Sequence, residues 1–151
     1  MEHLLFCPIG PLRMTEEKGA VTALRFLREG ESCDGVSPET SLSRRTQDWL
    51  DRYFAGENPV VDLPLAPAGT DFQQRVWRAA CGVAYGETVS YGQLARRIGC
   101  RSARAVGAAL GKNPVWILIP CHRVIGADGS LTGYAGGLEI KAALLAMEKR
   151  F

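Results

Sequence analysis

The sequence predicts a mixed fold of the α/β class, in its α+β form, with a small antiparallel sheet and one helix followed by a mostly helical second unit. Three observations carry this expectation. Apolar and polar residues alternate through the first 27 positions, helical spacing dominates from residue 41 onward, and three prolines between Glu57 and Gly69 separate the two patterns. At 151 residues the chain is long enough for one substantial core, or for a small lobe packed on a larger one. The expected division is residues 1–62, strand-rich, and residues 63–151, helical.

The strands come first. "HLLFCP", the turn "IGPL", "RMTEE", the turn at Lys18-Gly19 and "AVTALRFL" read as an antiparallel sheet, with Ala20, Thr22 and Leu24 interleaving with Val21, Ala23 and Arg25. Residues 30–40 are polar and contain Gly, Ser and Pro, which predicts a loop. "SLSRRTQDWLDRYFAGE" places Leu42, Thr46, Trp49, Leu50, Tyr53 and Phe54 at helical spacing, and Gly56 stops the helix. The stretch 57–69 is the candidate linker.

The second unit opens on "TDFQ", where Thr70 and Gln73 fit a capping box, and a helix follows to about Cys81 with Phe72, Val76 and Ala80 inward. Ser90 and Gln93 repeat the pattern at the head of "SYGQLARRIG". A break at Gly99-Cys100 precedes a second helix from Ser102, and the pair has the dimensions of a helix-turn-helix. On that second helix Arg104, Gly107, Ala108 and Gly111 share one nearly bare face, opposite a core stripe of Ala103, Val106 and Leu110. Such a face suits either a close helix contact or a close approach to DNA.

Composition narrows the function. With 46% hydrophobic and 23% charged residues the chain has the balance of a globular protein. No apolar run reaches the roughly 20 residues of a membrane helix, and the N-terminus lacks a signal-peptide pattern, so the cytoplasm is the expected compartment. Cys7, Cys33, Cys81, Cys100 and Cys121 are scattered without a CxxC pair and read as free thiols. A zinc site would have to combine widely spaced cysteines such as Cys7 and Cys33 with His3 or His122, and no metal is expected. Six of the 18 basic residues and none of the 16 acidic ones fall in residues 88–127, so that stretch carries +6 and the rest −4. The polarity points to a polyanion on one side, and nucleic acid is the expected partner.

Chemistry concentrates in "NPVWILIPCHRVIG". The run reads as a helix exit at Gly111–Asn113 and then an apolar extended segment that delivers Cys121 to its end, with Pro120 restricting the backbone before it. A buried cysteine is ordinarily inert packing, which is the reading of the other four. Cys121 differs because His122 and Arg123 adjoin it, and both favour the thiolate. Neighbours in an extended chain point to opposite sides, so His122 needs a bend or a bridging water to serve the sulfur. It also needs a group to fix its tautomer, and Glu148 of the closing helix "GLEIKAALLAMEKRF" is a candidate. Lys141, Leu144, Leu145 and Glu148 share a face there, so the two charges either sit at its surface edge or are buried with partners. "GSLTGYAGG" between them forms a tight loop presenting Tyr134.

These motifs, "RAVGAAL", "NPVWILIPCHRVIG", "TGYAGG" and "KAALLAMEK" in that order over about residues 70–149, closely resemble the O6-alkylguanine-DNA alkyltransferases. The resemblance implies a ribonuclease H-like first domain and a winged-helix-like DNA-binding domain that carries the acceptor cysteine. It implies direct damage reversal, in which an alkylated guanine is flipped out of the duplex and its alkyl group passes irreversibly to Cys121. By the same resemblance His122 acts through a water, Glu148 orients it, and Asn113 braces the turn. Tyr91 contacts the flipped nucleotide and helps guanine depart. Main-chain groups of Cys121, Val124 and Ala135 hold the base, with Tyr134, Gly136 and Lys141 alongside. Arg104 fills the gap in the stack, and Ala103, Gly107, Ala108, Gly92, Arg101 and Lys112 complete a minor-groove surface. Ala135 stands where some members have serine. No cofactor is implied, the expected partner is alkylated duplex DNA met by a monomer, and O4-alkylthymine is left open as a second substrate. A non-catalytic binder of alkylated DNA would lack the acceptor cysteine. A cysteine hydrolase would need a directly paired imidazole and repeated turnover.

Overall fold

The computed structural model describes residues 1–131, 134 and 137–150. Strands β1 (Glu2–Cys7), β2 (Gly10–Glu17) and β3 (Ala20–Phe26) form an antiparallel meander in that order. Lys18 and Gly19 both adopt positive φ, as a two-residue hairpin turn between right-twisted strands requires. The alternation expected along β3 breaks at one place. Thr15 pairs with Ala23 but Glu16 pairs with Val21, so Thr22 is an extra residue, and Val21 and Leu24 both face the core.

Helix α1 (Ser41–Phe54) packs on this sheet. Thr40 accepts a hydrogen bond from the Ser43 amide while the Ser43 hydroxyl accepts one from the Thr40 amide, and Gly56 ends the helix at φ 84. Leu42, Thr46, Trp49, Leu50 and Tyr53 are buried; Phe54, expected inward, is only half-buried because it lies at the edge of that stripe.

The outer edge of β3 is taken by later parts of the chain. Val21 donates to the Pro64 carbonyl and accepts from Ala66 (2.8 and 2.9 Å), and Leu24 donates to the Pro114 carbonyl and accepts from Trp116 (2.9 and 2.8 Å). The sheet therefore anchors the backbone a few residues ahead of Cys121.

Helices α2 (Asp71–Cys81), α3 (Tyr91–Arg97) and α4 (Ala103–Gly111) pack together, capped by Thr70, Ser90 and Ser102. The Thr70/Gln73 and Ser90/Gln93 capping boxes form as the sequence predicts. Phe72 is only half-buried, and Trp77 occupies the core instead, its indole N–H donating to the Ala109 carbonyl at 2.8 Å. Strands β4 (Val89–Ser90) and β5 (Val124–Ile125) pair in parallel, tying the head of α3 to the residues just after Arg123. Helix α5 (Leu138–Arg150) closes the chain, and the buried apolar residues form one continuous cluster running from Leu5 to Leu144.

Replacing Trp77 with Phe removes the shorter of two hydrogen bonds to the Ala109 carbonyl, which keeps the Lys112 amide at 3.1 Å, and leaves a void beside it. The expected cost is about 1–3 kcal/mol, read as a lowered urea midpoint with an unchanged denaturant slope.

Candidate active site

The apolar run before Cys121 is not the extended segment that its composition suggests. Asn113, itself buried, donates from Nδ2 to the Ile119 carbonyl (3.2 Å) and accepts the Val115 amide on Oδ1 (2.9 Å), while its own carbonyl takes the Trp116 indole N–H (3.0 Å). Between those ties the Leu118 amide bonds the Trp116 carbonyl at 2.8 Å across Ile117, whose φ is 70. A β-branched residue in the left-handed region costs on the order of 1–3 kcal/mol and is held there by its surroundings. A second tight turn follows, the Cys121 amide bonding the Ile119 carbonyl at 2.8 Å over Pro120 (φ −81, ψ 59). Residues Cys121–Arg123 then form a single 3₁₀ turn. Hydrophobicity alone does not distinguish a buried strand from such a buried knot, because side-chain ties to the backbone leave no periodic trace.

The 3₁₀ turn sends three consecutive side chains in three directions. Cys121 is 4% exposed and His122 is fully buried. Arg123, expected beside the sulfur, turns instead to Glu148, with Nε on Oε1 at 2.9 Å and Nη2 on Oε2 at 3.0 Å, and donates from Nη1 to the Val83 carbonyl at 2.8 Å. It is therefore also absent from the surface field of positive charge.

Glu148 is the centre of this arrangement. Its Oε2 lies 2.7 Å from His122 Nε2 and also accepts the Tyr53 hydroxyl, and the Gly86 amide approaches Oε1 at 3.3 Å. Gly86 adopts φ 80, which a side chain would strain. Burial pushes the Glu148 carboxyl up, but the hydrogen bonds from His122 and Arg123 outweigh it and hold it down at about 2. An ionised Glu148 accepts from Nε2–H of His122, which assigns that tautomer and leaves Nδ1 as the basic nitrogen. Nδ1 is buried and has no hydrogen-bond partner among the described residues. Burial lowers the basicity of His122, so the ring is held neutral and able to accept a proton.

Around the sulfur, burial pushes the Cys121 thiol up, while the Asn113 side chain and the Lys141 charge act in the opposite direction. Lys141 is 1% exposed, so the two charges of α5 that share a face with Leu144 are both buried with partners. Its Nζ donates to the Val124 carbonyl at 2.6 Å and lies 3.4 Å from the Tyr91 hydroxyl, and burial lowers its pKa to about 8. Tyr134, expected to project from its loop, is half-buried between Trp116 and His122 (ring centroids 6.0 and 6.4 Å), with its hydroxyl oxygen buried. Ala135 and Gly136, the other loop positions singled out by sequence, lie outside the described residues.

The structure thus brings Cys121, His122, Asn113, Val124, Lys141, Tyr91, Tyr134 and Glu148 into one neighbourhood. On α4, Arg104 and Ala108 are exposed, as are Arg101 before the helix and Lys112 after it. Ala103 is exposed too, and Ala109 takes the place in the core stripe that periodicity assigned to it. Gly107 turns toward the Tyr91 ring, where a Cβ would sit 3.7 Å away, and Gly92 lies half-buried in the first turn of α3. Cys33 and Cys81 are exposed thiols rather than packing. Sequence reasoning missed Tyr53, Gly86 and the Val83 carbonyl as parts of the site. Tyr53 was visible only as one apolar position of α1, and the other two contribute backbone atoms.

Residues 71–150 match the family model described as the 6-O-methylguanine DNA methyltransferase, DNA binding domain. Over 145 residues the chain is 49% identical to the methylated-DNA–protein-cysteine methyltransferase of Mycobacterium tuberculosis, covering 94% of this chain and 88% of the relative. The protein of the same name from Methanosarcina acetivorans is 43% identical, with 93% of each chain covered. The crystal structure of the M. tuberculosis protein OGT in complex with DNA superposes with a TM-score of 0.87 at 48% identity, covering 99% of this chain and 92% of that one.

The buried carboxylate has a measurable signature. Glu148 titrates at about 2 in the folded chain, below the roughly 4.3 of an unfolded glutamate, so its contribution is present above pH ~4.3 and lost as pH falls toward 2. In urea denaturation across that window the parental chain is expected to lose stability. Glu148→Gln is expected to be about 3–5 kcal/mol less stable at pH 7, because Arg123 loses its counter-charge, and to lose less over the same window, the remaining loss coming from Glu31 and Asp128, which are also held low.

Proposed function

The chain belongs to the 6-O-methylguanine DNA methyltransferase family, and from that premise we infer that it repairs DNA by direct damage reversal, moving the alkyl group of O6-alkylguanine to Cys121. One observation carries the assignment of the acceptor. Cys121 is the buried thiol that adjoins an imidazole whose outer nitrogen is committed to a carboxylate, leaving the inner nitrogen as a base.

The chemistry follows from that geometry. Cys121 gives its proton, through a water, to Nδ1 of His122, and the imidazolium so formed faces the Glu148 carboxylate. The thiolate attacks the alkyl carbon, the bond from that carbon to O6 breaks, and its electron pair leaves with guanine. Hydrogen bonding from Tyr91 supports the departing base, which then takes up a proton. The product is a thioether, which has no easy hydrolytic exit, so each molecule acts once. Lys141 and Asn113 favour the thiolate, and the Val124 main chain holds the base beside it. Contacts from Ala135 and Gly136 belong to the same proposal and rest on the family resemblance alone.

DNA approaches the face of α4. Arg104 enters the stack in place of the flipped base, while the exposed Ala103 and Ala108 let the helix backbone come close to the minor groove, and Gly107, expected on that surface, packs on Tyr91 instead. Arg101, Lys112 and the exposed Arg96 and Arg97 supply phosphate contacts from a stretch, residues 88–127, that contains no acidic residue. In this reading residues 1–62 frame the site and residues 63–151 carry the DNA surface and the acceptor. The protein works as a cytoplasmic monomer. No helix among the described residues is long and apolar enough to cross a membrane. The non-catalytic binder is not favoured, since Cys121 is present.

Intact-mass measurement after incubation with duplex containing O6-methylguanine tests the proposal. One methyl mass per chain, mapped to Cys121, is expected, with no further gain in excess DNA. Cys121→Ser is expected to bind the duplex and gain nothing. A mass gain that survives this substitution would remove Cys121 as the acceptor.

A further inference from the structure

Tyr53 lies outside the helix-turn-helix half, yet its hydroxyl reaches the centre of the site. It donates to Glu148 Oε2 and sits 3.4 Å from His122 Nε2. The ring is fixed by three others, stacking on Trp49 (5.1 Å, 12°) and meeting Phe54 and Tyr85 edge-on (5.0 and 5.6 Å). At 1% exposure the position would be filled by a phenylalanine if packing were its whole purpose. Among the described residues it is the one donor to Glu148 from the first 62 positions; the others come from Gly86, His122 and Arg123.

We propose that Tyr53 is a positioning residue of the alkyl-transfer site, which draws part of the Glu148 charge to the first half of the chain and so sets how readily His122 takes the Cys121 proton. The proposal rests on the function given above. Oε2 is shared by Tyr53, His122 and Arg123, and a carboxylate divided among three donors pulls less strongly on any one of them. Removing the phenol leaves Glu148 to bind an imidazolium more tightly. His122 then protonates at a higher pH and is a usable base over a narrower range. The charged and titratable groups facing His122 are Glu148 and Lys141 of α5, Arg123 and Cys121 of its own turn, Tyr53 of α1 and Tyr134 of the loop. Glu148 also faces Tyr85. All but Tyr53 stay in place in the variant.

The test uses the full chain in single-turnover transfer from duplex O6-methylguanine at saturating DNA, followed from pH 5 to 9. In Tyr53→Phe the acid limb of the rate is expected to move up by about 0.5–1 pH unit, a loss of roughly 3–10-fold on that limb. The alkaline plateau and the duplex Kd are expected to stay within about twofold of the parental values. A chain with 2,3-difluorotyrosine at position 53, whose phenol is the stronger donor, is expected to move the limb downward, and it decides the matter alone if the Phe variant does not fold. A uniform rate loss at every pH, or a limb that moves in neither chain, overturns the proposal. Absence of methyl transfer by the parental chain removes the functional reading as well, so the two failures are distinct.

Discussion

A single carboxylate, that of Glu148, decides how the parts of this protein meet. An isolated ionised side chain in an apolar interior is prohibitively unfavourable, so every element that surrounds Glu148 has to supply a donor. Helix α1 supplies the Tyr53 hydroxyl, the segment after α2 the Gly86 amide, and the 3₁₀ turn both His122 and Arg123. These three pieces are far apart in sequence. Their common partner fixes the helix that bears Glu148 against the turn that bears Cys121, and the bidentate fork of Arg123 sets the angle between them.

The second constraint is local. Ile117 in the left-handed region and two successive three-residue turns would not persist in an isolated peptide. They persist here because Asn113 satisfies backbone groups on either side of them and because β3 holds Pro114 and Trp116 as if they were the next strand. The sheet's contribution to the chemistry is thus mechanical. It denies the segment the freedom to relax into an extended conformation, in which Cys121 and His122 would face opposite ways.

Much of this was legible in the residues. Capping boxes are local, and Thr70/Gln73 and Ser90/Gln93 announced α2 and α3 with their boundaries. The helical alignment of Lys141 and Glu148 with Leu144 put two charges of α5 on one face, since a period of 3.6 is a property of sequence, but left their burial to the structure. What escaped depends on partners distant in the chain. Arg123 looked like a cation for Cys121 because it is two residues away, but its choice of Glu148 is made by tertiary packing. Tyr53 was one apolar position among six on α1, and its hydroxyl gained meaning only when α5 arrived beside it. The two-residue strands β4 and β5 have no periodicity to detect. The ring of Tyr134 appeared exposed because glycines surround it, whereas Trp116 and His122 enclose it.

The small residues of α4 illustrate how one pattern serves two ends. A bare face suited both a close contact within the protein and a close approach by DNA, and the sequence could not choose between them. Position by position, the face divides. Gly107 faces the ring of Tyr91, while Ala103, Arg104 and Ala108 face outward. Tyr91 in turn lies beside Lys141, whose ammonium also holds the main chain one residue past Arg123. Helix α4, which the proposed function offers to DNA, is therefore joined to the sulfur's surroundings through one aromatic ring and one cation. Under the proposed function, a base drawn out of the duplex beside Arg104 meets Tyr91 and, through it, the lysine that favours the thiolate. In that proposal, so short a path from α4 to Cys121 leaves little slack between extruding the base and presenting it to the sulfur.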